Sequence, residues 1–299
     1  VSAPNGNRRS SPLCNPALTR VSPRGMAMLP TETLNMALSP DRITELGDEL
    51  FTALRNRQTL APLTEREPQI SIDEAYRISL RFLERRTAEG ERVVGKKIGV
   101  TSKPVQDMLG VHQPDFGFLT DRMAVASGGV ISIAGSGLIQ PRAEGEIAFM
   151  LKQDLVGPNI TAEQVLDATE YVSPCFEIVD SRISDWKIKI QDTVADNASC
   201  GVFVLSETEV DPRDFDLPNL KMKIYKNGEF HSEGLGSAVQ GNPLTAVAWL
   251  ANTLGEFGIP FKAGEVILSG SLAPLIPVVP GDEMRLEIDG IGGCSCQFV

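Results

Sequence analysis

Two glutamates, Glu144 and Glu146, stand two positions apart in a stretch that is otherwise small and apolar. The apolar alternation from Arg142 to Met150 predicts a β-strand, in which successive side chains point to opposite faces. Both carboxylates and the Arg142 side chain then share one face, where the acids repel each other unless a cation or a proton lies between them. A solvated sheet edge and a metal site are both compatible with this pattern.

The bulk composition excludes several classes of function. The chain has 299 residues, of which 42% are hydrophobic and 22% charged, so it can bury a substantial core. Its net charge of -11 argues against nucleic acids and anionic membranes as main partners. There is no apolar run of about 18 residues, so no transmembrane helix is predicted. With only 2 histidines, a metal site would depend on carboxylates.

The cysteines indicate the cellular compartment. Five cysteines are scattered along the chain, without paired Cys-x-x-Cys spacing. They form neither a secreted disulfide framework nor a zinc motif. A reducing, cytoplasmic location is therefore predicted.

The character of the chain changes twice, which predicts three regions. Residues 1–38 are rich in Arg, Ser and Pro and poor in acids, and they predict a disordered or mis-annotated extension. Residues 39–92 carry apolar residues at helical spacing and form a predicted N-terminal helical region. Residues 93–299 consist of short strands and turns and form the predicted metal-binding catalytic, β-rich domain.

Local signals place some elements within these regions. Ser39-Pro40 is typical of a helix start, and Ser71 followed by Glu74 predicts a second start with a capping box. Asn227-Gly228 predicts a tight hairpin. Residues 192–200 are small and polar, and they are interpreted as a turn before the next strand.

A third acid, Glu177, lies in the apolar run from Cys175 to Asp180. Such a carboxylate would be costly to bury without a partner. It could be a third metal ligand, or it could form a structural salt bridge with Arg182 or Arg142. The sequence pattern leaves both interpretations open.

Three further positions could carry chemistry. Lys97 lies between glycines on a predicted strand and could stabilise an anion, although a lysine with its charge in water is the simpler interpretation. Asp115 could be a general acid or base, or an ordinary turn residue beside Pro114. Ser271, in Ser269-Gly270-Ser271, could contact a ligand or only turn the chain.

A combination of motifs, in one order from about residue 40 to residue 299, resembles the 2-keto-4-pentenoate (2-hydroxypenta-2,4-dienoate) hydratases. These belong to the fumarylacetoacetate hydrolase superfamily. The motifs are Gly95–Ser102, Gln113–Gly117, Gln140–Ala148, Glu177–Arg182, Asp192–Ser199 and Ile267–Ser271.

The resemblance implies a fold and a set of site residues. The fold is mixed α/β, a fumarylacetoacetase-like β-rich roll or barrel with a small N-terminal helical region. Lys97 and Asp115 would lie in the active site, and Ser271 would contact the substrate. The implied ligands of a Mg²⁺ or Mn²⁺ ion are Glu144, Glu146 and Glu177.

The implied activity is a hydro-lyase reaction of meta-cleavage aromatic catabolism. Water is added to 2-hydroxypenta-2,4-dienoate to give 4-hydroxy-2-oxopentanoate. The resemblance also implies a homo-oligomer and, as a further partner, the sister decarboxylase. The alternatives are a 2-oxo-3-hexenedioate (4-oxalocrotonate) decarboxylase, an acylpyruvate-type C–C hydrolase, and a non-catalytic subunit that supports the decarboxylase. Asp115 in its Pro-Asp-Phe-Gly loop favours hydration.

Overall fold

Helices precede a strand-rich region along residues 38–299, the part of the chain that this computed structural model describes (for Met108, the backbone alone). These residues belong to one compact unit, Thr33–Val299. The extension predicted for residues 1–38 lies outside the described part, except for its last residue. None of the described helices combines the length and the apolar character that crossing a membrane requires.

Seven α-helices and thirteen β-strands are described. The helices are α1 (Pro40–Asn56), α2 (Leu63–Arg66), α3 (Ile72–Ala88), α4 (Lys103–Leu109), α5 (Ala162–Ala168), α6 (Ile190–Ala195) and α7 (Pro243–Glu256). The strands are β1 (Val93–Gly99), β2 (Asp115–Thr120), β3 (Ala124–Ala126), β4 (Gly129–Ile131), β5 (Arg142–Leu151), β6 (Thr169–Val179), β7 (Cys200–Leu205), β8 (Lys221–Lys226), β9 (Glu229–Leu235), β10 (Val266–Leu268), β11 (Ile276–Pro277), β12 (Glu283–Ile288) and β13 (Gly292–Phe298).

The strands form two sheets. The larger one has the order β2-β1-β10-β5-β6-β7-β3, with β11 also paired to β5, and the smaller one has the order β4-β13-β12-β8-β9. A large apolar core joins them, with side chains such as Ile147 and Phe176 from the larger sheet and Met222 and Leu286 from the smaller one. The mixed α/β class predicted from the sequence is confirmed.

Gly145, between the two glutamates of β5, lets the sheets approach closely. A side chain at this position would meet the Met222 sulfur at 2.7 Å and Ile224 Cδ1 at 3.1 Å. The Gly145 face of β5 therefore belongs to the core, while the opposite face of the same strand carries the acids.

The N-terminal helices build a separate apolar cluster. Leu46 and Leu50 of α1 pack with Ile78 and Phe82 of α3, and Val194 of α6 joins them. Burial of such side chains stabilises by about 1.5–3 kcal/mol each. We retain the division into 39–92 and 93–299 as a proposal, although the cluster includes Val194 from the second region.

Several local predictions are confirmed. The Ser39 hydroxyl accepts a hydrogen bond from the Arg42 N–H, and Ser71 and Glu74 form the reciprocal capping box that starts α3. Asn227 and Gly228 both have positive φ and close the hairpin between β8 and β9.

The turn predicted for residues 192–200 is wrong in its first half, because α6 extends through Ala195. Asp192 accounts for the difference. Its buried carboxylate accepts hydrogen bonds from the Thr64 N–H and hydroxyl and from the Lys189 N–H, which starts the helix. Two of these donors come from α2, far away in the sequence, so local patterns could not indicate them.

Candidate active site

Strands β5 and β6 bring the three predicted acids together. Glu144 lies directly opposite Glu177 in the antiparallel pair, and Glu146 follows on the same face. One carboxylate oxygen from each acid lies within 4.8 Å of the other two. The solvated-edge interpretation is wrong, because β5 lies between β10 and β6 in the larger sheet.

The acids are enclosed, and their oxygens are poorly satisfied. Glu146 and Glu177 are buried, whereas Glu144 is half-buried. Glu146 Oε2 accepts a hydrogen bond from the Gly270 N–H at 2.8 Å. Glu146 Oε1 and both oxygens of Glu177 have no hydrogen-bond partner among the described residues. Leaving buried anionic oxygens unpaired is unfavourable, so the cluster favours a cation or protons.

The electrostatics lead to the same conclusion. Burial, followed by the charge of Glu177, raises the pKa of Glu144 to about 8. Burial and the two neighbouring acids raise the pKa of Glu146 well above its usual range. Burial also raises the pKa of Glu177, against the attraction of Lys97. Without added positive charge, the three carboxylates are not all ionised at neutral pH.

Lys97 provides one positive charge at the edge of this cluster. It is buried, and its Nζ lies 3.1 Å from Glu177 Oε1, at an angle outside hydrogen-bond geometry. Burial lowers the pKa of Lys97, but the negative groups around it, of which Glu177 acts most strongly, together outweigh burial and raise it. The interpretation of a lysine with its charge in water is therefore wrong, and so is a salt bridge from Glu177 to an arginine.

The two arginines considered as partners of Glu177 bind elsewhere or remain unpaired. Arg182 is fully buried and pairs with Asp196 at 2.5 Å and with Asp180 at 3.8 Å. Arg142 forms no ion pair with a described residue, and its guanidinium stacks over the Trp186 ring.

Asp115 begins β2 beside the end of β1, where Gly99 is its pairing partner. The carboxyl is buried, and Oδ1 has no hydrogen bond from a described residue. Burial raises the pKa of Asp115, against the attraction of Lys97. A buried carboxyl beside a lysine and close to other acids can hold or move a proton.

A Gly99→Ala variant is expected to lose at least tenfold in kcat. The added methyl group would overlap Asp115 Oδ1 and lie 3.3 Å from Lys97 Nζ. Displacing a catalytic group by about 1 Å can cost roughly a hundredfold in rate. Steady-state kinetics and a thermal unfolding curve check this. Gly135→Ala is the control, since its methyl would meet only Ser132, with the hydroxyl oxygen nearest at 3.1 Å. An unchanged kcat in Gly99→Ala would contradict the placement of Asp115.

The Ser271 hydroxyl, which the sequence predicts to contact the substrate, is hydrogen-bonded within the chain. It donates to the Ala273 carbonyl at 2.6 Å, whereas the backbone N–H of Gly270 reaches the acid cluster. The Ser271 side chain is half-buried, and its contact with substrate stays a prediction. The hydrogen bond from the Gly270 N–H to Glu146 could not be predicted, since no sequence signal marks which backbone N–H points towards the acids.

A second group that the sequence did not reveal joins the segment after α6 to β2, the strand that begins with Asp115. The Asn197 side chain accepts from the Phe118 N–H and donates to the Phe118 carbonyl, which fixes the segment after α6 against β2. Gly117 allows the close approach, because a side chain there would meet the Cys200 sulfur at 2.8 Å. These contacts join segments that are distant in the sequence, so local patterns could not indicate them.

The donor set suits a hard divalent cation. Three carboxylates offer oxygen ligands of the kind that Mg²⁺ and Mn²⁺ prefer, and the unpaired oxygens of Glu146 and Glu177 need a positive partner. No histidine or cysteine belongs to this group among the described residues. The chemistry of the donors thus fits the ion that the resemblance implied.

Comparison with known proteins identifies the family. Residues 88–299 match the family described as Fumarylacetoacetate (FAA) hydrolase C-terminal. The chain belongs to the fumarylacetoacetate hydrolase family. The fumarylacetoacetase-like fold expected from the sequence is thereby confirmed.

Relatives within this family are hydratases. The chain is 66% identical over 252 residues to a 2-hydroxyhexa-2,4-dienoate hydratase of Comamonas testosteroni, a match that covers 84% of this chain and 96% of the relative. It is 64% identical over 217 residues to a 2-hydroxypent-2,4-dienoate hydratase of Pseudomonas putida, covering 73% and 97% of the two chains. The predicted membership among the 2-keto-4-pentenoate hydratases is confirmed.

A solved structure shares the same fold. It is the 4-oxalocrotonate decarboxylase from Pseudomonas putida G7, complexed with magnesium and adipate. The TM-score is 0.85 at 34% sequence identity, with 89% of this chain and 100% of the other covered. The family thus includes both hydratases and a decarboxylase at substantial similarity to this chain.

Proposed function

We propose that this protein is a divalent-metal-dependent hydratase, a hydro-lyase that converts 2-hydroxypenta-2,4-dienoate to 4-hydroxy-2-oxopentanoate. The observation that carries the proposal is the convergence of three enclosed carboxylates with Lys97 and Asp115, in a chain whose relatives at 66% and 64% identity are dienoate hydratases. Such an enzyme would act in meta-cleavage catabolism of aromatic compounds.

In this proposal Glu144, Glu146 and Glu177 hold Mg²⁺ or Mn²⁺. When bound, the ion supplies Lewis-acid stabilisation of negative charge on the substrate oxygens. The structure shared with a magnesium-bound decarboxylase supports a divalent ion of this kind. The Gly270 N–H holds one carboxylate of the set in a fixed orientation.

Lys97 and Asp115 would then manage the protons. The dienol must lose its hydroxyl proton and gain one at C5, after which water adds at C4 of the 2-oxo-3-ene and a proton is taken up at C3. Asp115 has a raised pKa and can carry a proton between these positions. Lys97 keeps its charge beside Glu177 and stabilises negative charge on the enolate. Ser271 remains a proposed substrate contact.

The second candidate is the decarboxylation of 2-oxo-3-hexenedioate, which the fold shared with the 4-oxalocrotonate decarboxylase favours. The higher identity to the hydratases places hydration first. We also propose a homo-oligomer and a complex with the sister decarboxylase, which rest on the family resemblance, and a cytoplasmic location, which rests on the scattered cysteines.

An assay of the purified protein with both substrates tests the proposal. With Mg²⁺, 2-hydroxypenta-2,4-dienoate should be consumed and 4-hydroxy-2-oxopentanoate should form in equal amount, and EDTA should stop the reaction. 2-Oxo-3-hexenedioate should release little CO₂. Faster CO₂ release than hydration would support the decarboxylase, and turnover that persists in EDTA would refute a metal-dependent enzyme.

A further inference from the structure

Arg142, the first residue of β5, carries a positive charge that no described residue pairs. Its side chain lies on the same strand face as Glu144 and Glu146. It forms no hydrogen bond or ion pair with a described residue, although it is half-buried. Burial lowers its pKa, and no acid opposes that shift. A guanidinium nevertheless stays charged in proteins, so its N–H donors need an acceptor or water.

An aromatic ring holds the guanidinium in place. The guanidinium carbon of Arg142 lies 4.4 Å from the centroid of the Trp186 ring. Stacking of this kind orients the guanidinium plane and leaves the N–H groups at its edge free. The ring covers a face of Arg142 and offers no acceptor, so the edge remains available for a ligand.

The position of the ring is itself fixed by the chain. Trp186 Nε1 donates to the Gln140 carbonyl at 3.0 Å, and the Gln140 side chain donates to the carbonyls of Ser181 and Ile183. Asp185 and Trp186 have φ values of 57° and 54°, in the left-handed region that bulky residues rarely adopt. Such strain persists where surrounding contacts hold it and concentrates at functional sites.

Exposure decreases along the face of β5. Arg142 and Glu144 are half-buried, whereas Glu146 is buried, so Arg142 lies at the outer end of the acid cluster. At about 3.3 Å per residue, Arg142 is about 7 Å along the strand from Glu144. A small ligand that reached the acids from this more exposed end of the strand face would pass the Arg142 side chain.

The negative charge of the proposed substrates explains why a cation is needed beside the acid cluster. Dienoates are carboxylates, and the site already contains Glu144, Glu146, Glu177 and Asp115. Lys97, the buried cation beside them, is engaged with Glu177. A free guanidinium can bind a carboxylate through two parallel hydrogen bonds, which a point charge cannot do.

We propose that Arg142, held against Trp186, binds the carboxylate group of the substrate and thereby sets the affinity of the site for 2-hydroxydienoates. This inference rests on the proposed function for the identity of the substrate. It assigns Arg142 to binding, and the proton transfers remain with Asp115 and Lys97.

Kinetics of an Arg142→Gln variant test the proposal. KM for 2-hydroxypenta-2,4-dienoate is expected to rise by about 10- to 100-fold, the effect of losing a charge-assisted hydrogen bond, while kcat changes by less than about threefold. Arg142→Lys keeps the charge without the planar fork, and an intermediate KM is expected. Unfolding curves establish that each variant is folded.

The chain offers a matched control in Arg285. This residue stacks over the Tyr225 ring at 4.0 Å, in the smaller sheet and away from the acids. Arg285→Gln removes the same charge from the same kind of stack, and KM and kcat should both stay at wild-type values. An unchanged KM in Arg142→Gln, or a loss confined to kcat, would overturn the proposal.

A binding measurement keeps the inference separate from the reaction. The chain has 2 tryptophans, so a Trp249→Phe background leaves Trp186 as the sole indole reporter. In that background, 2-oxopentanoate, an unreactive saturated carboxylate, should change the Trp186 emission saturably. Adding Arg142→Gln should weaken the apparent Kd at least tenfold, and an unchanged Kd would overturn the proposal. If the probe binds, Arg142→Gln weakens its binding and the dienoate is not hydrated, the proposed function fails while carboxylate binding by Arg142 stands.

Discussion

A Glu146→Gln variant will bind Mg²⁺ or Mn²⁺ at least a hundredfold more weakly than the wild type and will lose most of its turnover. The change keeps the shape of the side chain but removes one of three converging negative charges. Second-layer changes at metal sites already cost about 10- to 100-fold, and loss of a ligand should cost more. Metal titration by calorimetry and activity against metal concentration measure both effects.

The thermal stability of the metal-free variant separates a ligand from a structural acid. Glu146 is buried with one oxygen unpaired, and its neighbouring acids repel it. Neutralising it should leave the Tm in EDTA equal to or above that of the wild type, while the Tm gain on adding Mg²⁺ disappears. Glu170→Gln, an exposed acid on β6, should behave as wild type in every measurement. A lower Tm in EDTA together with normal metal affinity would mean that Glu146 has a structural role.

An Asp115→Asn variant is expected to lose about 10²- to 10⁴-fold in kcat while its metal affinity stays within threefold of wild type. Asparagine keeps the size of the side chain but can neither take up nor release a proton. Burial raises the pKa of Asp115, against the attraction of Lys97, which favours a carboxyl that exchanges a proton during the reaction. Single-turnover assays with the dienoate, combined with metal titration, give the two quantities.

Asp121→Asn is the control for Asp115→Asn. Asp121 follows the same strand, but it pairs with the exposed Arg92 and lies away from the acids. Hydration that survives in Asp115→Asn at more than a tenth of the wild-type kcat would exclude Asp115 as the proton carrier. It would also remove the argument that this acid favours hydration over decarboxylation.

Elements that depend on neighbouring residues could be predicted from the sequence. The capping box of Ser71 and Glu74 and the Asn227-Gly228 hairpin are closed by hydrogen bonds or backbone preferences within four residues. The segment at Asp192 could not be predicted in the same way, because its donors Thr64 and Lys189 include a residue 128 positions away. Sheet order depends on such distant contacts as well.

The same distinction applies to the site. Strand alternation placed Glu144 and Glu146 on one face, and the structure has them there. Whether that face met solvent could not be predicted, since burial of β5 depends on β10 and β6. The position of Lys97 beside Glu177 could not be predicted either, because the two residues come from different strands and are 80 positions apart in the chain. The family resemblance, carried by motif order, supplied what alternation could not.

The contact between Lys97 and Glu177 has a consequence for electroneutrality. Three ionised glutamates against one lysine leave two negative charges, which one divalent cation cancels and a monovalent or trivalent ion does not. Asp115, whose pKa burial raises, adds no charge to this balance whenever its carboxyl carries a proton. A monoanionic substrate then brings a single uncompensated charge, the amount that Arg142 carries. With the roles proposed for these residues, the charge count of the side chains favours a divalent ion together with a singly charged substrate.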